Sequence, residues 1–137
     1  MKKITFPESE DVMVTVDSVT YQPLAQTPED RPYCFVYVIS IWNHSEYPIT
    51  VVARKWVVRN SDGNVEVLEG KGVVGLTPRI EPGDKFTYNS FHLLRSLTGE
   101  AEGSYVGIVD HPENSSEWVL MRIPKFDMEV PETESWC

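Results

Sequence analysis

The spacing Gly70-x-Gly72-x-x-Gly75 is the pattern in this 137-residue chain that most directly suggests chemistry. In a dinucleotide-binding unit such glycines follow a strand and open a helix, whose N-terminal N–H groups hold the pyrophosphate. Here Pro78 and Pro82-Gly83 follow within a few residues, so a helix beginning at Gly75 has no room to form. Two readings then compete. In the first the glycines join strands where the backbone needs positive φ or a close approach. In the second Gly70, Lys71, Gly72 and Gly75, with Arg79 nearby, form a cradle for a small anion or a nucleotide phosphate, with weak hydrolysis as an extension. Local charge is compatible with a cradle. From Arg54 to Arg79 five basic residues stand against three acidic ones, whereas from Glu100 to Cys137 two basic residues face nine acidic ones.

Other catalytic patterns are missing from the sequence. His44, His92 and His111 fall in or beside expected turns and show neither HxH nor HExxH spacing, so no metal site is expected. No Gly-x-Ser-x-Gly elbow occurs and no histidine is placed to serve Cys34. The acidic stretch around Asp110, His111 and Glu113 reads as solvated surface. The reading therefore leans away from an enzyme, and no cofactor is expected. A net charge of −9 argues against nucleic acid and anionic membrane as partners. The start of the chain, Met1-Lys2-Lys3-Ile4, has no apolar stretch behind its lysines, and the longest apolar run, Tyr33 to Trp42, is too short to span a bilayer. Cys34 and Cys137 are both expected to be free thiols, which suits the cytoplasm.

The elements that must position these residues have a period of two. Val12, Val14, Val16 and Val19 mark a first strand, with a bend at Asp17-Ser18, and Gln22 to Pro32 reads as loop. Tyr33 to Asn43 is a long strand whose odd positions, Phe35, Tyr37, Ile39 and Ile41, are all apolar. Ile49 to Asn60 follows, with Val52, Arg54, Trp56 and Val58 expected on one face. Trp56 is read as a core anchor, and Arg54 must either reach the rim or pair with a carboxylate, the latter by default, because an unpaired buried charge is very costly. Ser61-Asp62-Gly63-Asn64 is a hairpin turn leading into Val65 to Leu68. Glu81-Pro82-Gly83-Asp84 is a second turn, and Phe86, Tyr88 and Ser90 alternate as another strand. Arg95 to Gly103 is expected to be loop, with strands at Tyr105 to Val109 and Trp118 to Ile123. Short strands with regular turns argue for an all-β fold, a two-sheet antiparallel β-sandwich. Residues 1–128 form one domain on this reading, and residues 129–137 an acidic tail expected to be disordered.

Several ordered segments together resemble the ApaG domain family. They are Phe35-x-Tyr37-x-Ile39-x-Ile41-x-Asn43, Arg54-x-Trp56, Asp62-Gly63, Gly70-x-Gly72-Val73-Val74-Gly75-x-x-Pro78, Pro82-Gly83, Phe86-x-Tyr88-x-Ser90, Leu94, Gly99-x-x-x-Gly103-x-Tyr105 and Ile123-Pro124-x-Phe126. The resemblance covers Val12 to Met128 and implies a fibronectin type III/immunoglobulin-like sandwich, of the kind found as small stand-alone bacterial proteins. It implies a module that contacts an unidentified protein partner and is linked by association to divalent-cation (cobalt and magnesium) homeostasis, while the missing catalytic patterns make that module non-enzymatic on this reading. Ala101, Lys55 and Ser90-Phe91-His92 depart from the family pattern, where methionine, histidine and Ser-Gly-Cys are common. Open sandwich edges add a homodimer through strand edges as an expectation.

Overall fold

In a computed structural model that describes residues 6–113 and 115–132, eight strands follow in chain order. They are β1 (Val12–Tyr21), β2 (Tyr33–Asn43), β3 (Ile49–Asn60), β4 (Val65–Lys71), β5 (Arg79–Ile80), β6 (Lys85–Leu94), β7 (Thr98–Asp110) and β8 (Ser116–Glu129). They pair antiparallel into a three-stranded sheet, β1-β2-β6, and a five-stranded sheet, β4-β3-β7-β8, in which β5 also pairs with β3. The two sheets pack face to face as a β-sandwich. The apolar positions of β2, Phe35, Tyr37, Ile39 and Ile41, are buried and supply the floor of the core. From the facing sheet Val51, Trp56 and Val58 of β3, with Tyr105, Met121 and Ile123, complete it. Trp56 is 2% exposed and lies 5.1 Å from the Tyr37 ring.

Two asparagines at the ends of this core satisfy backbone groups that a sheet end leaves over. Buried Asn43 donates from Nδ2 to the carbonyls of Tyr47 and Ile80, each at 2.9 Å, and its Oδ1 accepts from Ser45. At the opposite end Asn60 Oδ1 accepts from the Arg95 N–H at 2.6 Å and from Ser96. The loops at 44–48 and 95–97 are thereby fixed by side chains of β2 and β3.

Three bulges explain where period-two reasoning slips. The pairing of β1 with β2 shifts at Asp17, the expected bend. The pairing of β3 with β7 shifts between Val51 and Ala53, so the side chain buried ahead of Arg54 and Trp56 is Val51 and not Val52. The third shift sets Glu102 of β7 against Pro124 and Lys125 of β8, placing a proline with no N–H where no ladder bond is required. The expected loop from Arg95 to Gly103 is corrected by the same strand. β7 begins at Thr98 and contains Gly103, where a Cβ would overlap the Lys55 carbonyl oxygen of β3. His92 is also corrected: it lies inside β6 and is buried, not beside a turn. β8 continues past Met128. Glu129 closes β8, and buried Val130 donates its N–H to the Leu97 carbonyl at 2.9 Å. Cys34 is a free buried thiol, while the expectations for Cys137 and for the tail from residue 133 lie outside the described residues.

Trp56 joins both sheets, so Trp56→Ala should destabilise the fold by about 3–5 kcal/mol in urea unfolding. A loss below about 1 kcal/mol would remove it from the core.

Candidate functional site

Gly70 and Lys71 are the last two residues of β4, and the chain then turns. Positive φ occurs at Gly72 (62°), Val74 (44°) and Gly75 (78°). Val73 and Leu76 bond each other reciprocally, N–H to carbonyl, at 2.7 and 2.9 Å. Positive φ at both central positions of that four-residue turn is the hairpin geometry of type I′, with a β-branched valine at a position glycine or asparagine normally takes. The turn drives Val73, fully buried, into the end of the core. A Cβ on Gly72 would overlap the Leu76 carbonyl oxygen.

Three N–H groups of this segment are used within the protein. The Gly72 N–H donates to the Val52 carbonyl at 2.7 Å, and the Val73 and Leu76 N–H groups serve the turn. Arg54 comes from the inward face of β3, and its Nη1 donates to the carbonyls of Lys71 (2.8 Å) and Gly72 (3.2 Å). Its partners are therefore carbonyl oxygens and not the carboxylate the sequence suggested. A Cβ on Gly70 would meet that guanidinium at 2.8 Å, so the glycine is the space the arginine occupies. An anion nest needs free N–H groups pointing outward. Here it is carbonyls that converge, on a cation. Arg79, in β5, is held by Asp110 and Glu81, whose hydrogen bonds raise its pKa. The structure thus gathers Gly70, Lys71 and Gly72 around Arg54 and leaves Arg79 in a separate ion-pair cluster.

A shallow groove of about 630 Å³ does adjoin Gly70 and Lys71, on the outer face of the five-stranded sheet. Register places Lys71, Ala53, Val106 and Leu120 in one row across β4, β3, β7 and β8. Ala53, Val106 and Leu120 make an apolar floor. One end is closed by Phe6, stacked on Trp118 at 5.6 Å, because the N-terminal segment pairs with Leu120. The other end carries Lys71 and Lys55, the latter 3.8 Å from Glu69. Sequence reasoning missed Phe6, Val106 and Leu120, since only the strand order brings them together.

A second cluster lies between the sheets. His92 is 3% exposed and packs on Trp56, Tyr37 and Phe126, with ring centroids at 4.5, 4.7 and 6.2 Å. Burial depresses its pKa to about 4, so the ring is neutral at physiological pH. Tyr88 and Tyr105 share a buried hydroxyl–hydroxyl bond, and burial raises both phenols. Burial likewise raises the Cys34 thiol, which makes it a poor nucleophile. Among the described residues no group of three or more His, Cys, Asp or Glu side chains could hold a metal ion.

The family model described as the ApaG domain matches residues 23–108. The chain belongs to the ApaG domain family. Protein ApaG of Maricaulis maris is 33% identical over 129 residues, covering 94% of this chain and 95% of that one. Protein ApaG of Salmonella arizonae is 33% identical over 120 residues, covering 88% and 92%. A Bordetella pertussis protein described as ApaA has a solved structure with a TM-score of 0.75 at 28% identity, covering 94% of this chain and 99% of that one. A late embryogenesis abundant protein, at 8% identity and a TM-score of 0.56, shares the fold alone. The ApaG segment from Gly70 to Pro78 is built around Arg54 and Val73 in this chain.

Two outcomes follow from this geometry. Gly72→Ala combines strain at positive φ with a carbonyl overlap and should lower stability by more than about 1 kcal/mol, whereas Lys71→Ala should leave it nearly unchanged. Equal effects in thermal unfolding would contradict the placement. His92 takes up its proton in the unfolded chain near pH 6.5 but in the fold only near pH 4. Stability should therefore be full above pH 6.5 and fall by about 3 kcal/mol as pH drops toward 4, beyond what a His92→Phe variant loses. Identical pH dependence of the two proteins would show that His92 is not buried neutral.

Proposed function

We propose that this ApaG chain is a non-enzymatic protein-binding module whose docking surface is the groove beside Gly70 and Lys71. The observation that carries this reading is an apolar floor drawn from three strands and bordered by two lysines, on a chain whose net charge is −9. Such a surface suits an apolar segment of another protein flanked by an acidic residue. The buried phenols, neutral histidine and raised thiol of the interior provide no accessible nucleophile–base pair, which supports a binding role. A link to cobalt and magnesium homeostasis is read as running through the partner. The free buried thiol of Cys34 supports a cytoplasmic location.

One observation favours the runner-up reading, a small-anion or nucleotide-phosphate binder. The Lys71 ammonium borders the groove with no ion-pair partner among the described residues. Affinity capture from bacterial lysate separates the two. The wild type should retain a partner that is lost with Ala53→Glu and Lys71→Glu and kept with Arg59→Ala, which lies away from the groove. A partner retained equally by all four proteins would refute the groove as the docking surface. Millimolar pyrophosphate that shifts the Lys71 to Gly75 amides, less so in Lys71→Ala, would support the anion reading instead.

A further inference from the structure

The sandwich is uneven, and its open side carries a second feature. The small sheet ends at β6, which pairs with β2 alone among the described residues, whereas the large sheet continues to β4. The inward residues of β4 therefore overhang the β6 edge: Leu68, opposite Trp56 in register, is 43% exposed. Between β4 and β6 lies a cleft of about 100 Å³ lined by Val58, Leu68 and the backbone edge from Phe91 to Leu93, with His92 at its base. Phe91 at the rim is 56% exposed. Neither ring nitrogen of His92 has a hydrogen-bond partner within the protein, and neither has the indole N–H of Trp56 beside it.

A neutral imidazole offers one donor and one acceptor, so the complementary group is one that both accepts and donates. Buried polar groups lacking partners are uncommon and point to a ligand or an exchange of partners. At the roughly 30 Å³ that a small polar group such as water occupies, the cleft holds about three or four non-hydrogen atoms. That is the size of a threonine or asparagine side chain. The backbone edge beside it presents unpaired N–H and C=O groups, the template for strand addition. Arg31 and Glu66 also line the cleft. We propose that the β6 edge receives an extended segment of another protein, whose inward threonine or asparagine enters the cleft between Leu68 and His92.

The probe is the peptide acetyl-Glu-Val-Thr-Val-Lys-amide, followed by NMR on the intact chain. At millimolar peptide the Phe91 to Leu93 amides and the His92 ring nitrogens should shift. Affinity should fall about tenfold when valine replaces the central threonine, the effect of one buried hydrogen bond. Leu68→Lys, at an exposed position, should weaken binding at least as much, while Ala53→Glu in the outer groove should leave it unchanged. His92→Phe should erase the preference for threonine over valine. Equal affinity for the two peptides, absence of shifts at Phe91 to Leu93, or loss of binding with Ala53→Glu would each overturn the proposal. The last result would assign the peptide to the groove and leave the protein-binding reading standing.

Discussion

A half-buried arginine on the inward face of a sheet is held by the acceptors its guanidinium can reach. Arg54 stands on the face of β3 that also carries Trp56, and its acceptors are the carbonyls of Lys71 and Gly72. That choice governs the chain around it. β4 passes directly over the guanidinium, and a Cβ on Gly70 would meet it at 2.8 Å. The backbone must then reverse at once, which requires positive φ at Gly72 and again across the following turn. The reversal delivers Val73 into the core and brings Pro78 beside Val51, whose N–H bonds the Pro78 carbonyl at 2.9 Å. A glycine spacing that resembles a phosphate loop is thus explained by packing around a cation.

Much of this architecture could be read from residue alternation. β2 and β3 run from Tyr33 to Asn43 and from Ile49 to Asn60, the bounds their apolar patterns and turn residues indicate. The Asp62-Gly63 and Pro82-Gly83 turns are likewise local, since positive φ at Gly63 and Gly83 is a property of the turn itself. What escaped is non-local. Gly99 and Gly103 look like loop residues until β3 is placed close against them. Val52 shares parity with Trp56 until a bulge removes one residue from the count. His92 is polar by composition, yet its position in β6 turns it between three aromatic rings.

The candidate sites divide in the same way. Gly70 and Lys71 were legible because a motif names them, but the floor of the groove beside them is assembled from β3, β7 and β8. No spacing in the chain records that Ala53, Val106 and Leu120 will be neighbours, since strand order alone decides it. The charges divide too. Arg79, expected beside the glycines, is held by Asp110 and Glu81, whereas Lys71 remains at the groove. The groove surface is therefore apolar with a basic border, and the interior is aromatic and neutral.

The central claim is that Gly70 exists to make room for Arg54, and a double-mutant cycle reads that relation directly. Urea unfolding of the wild type, Gly70→Ala, Arg54→Met and the double variant gives the interaction energy between the two sites. Alanine at position 70 should be clearly destabilising while Arg54 is present and nearly neutral once the guanidinium is gone, a coupling above about 1 kcal/mol. Additive effects, with coupling within about 0.3–0.5 kcal/mol of zero, would mean that the glycine serves some other purpose and that the segment is not organised by the arginine.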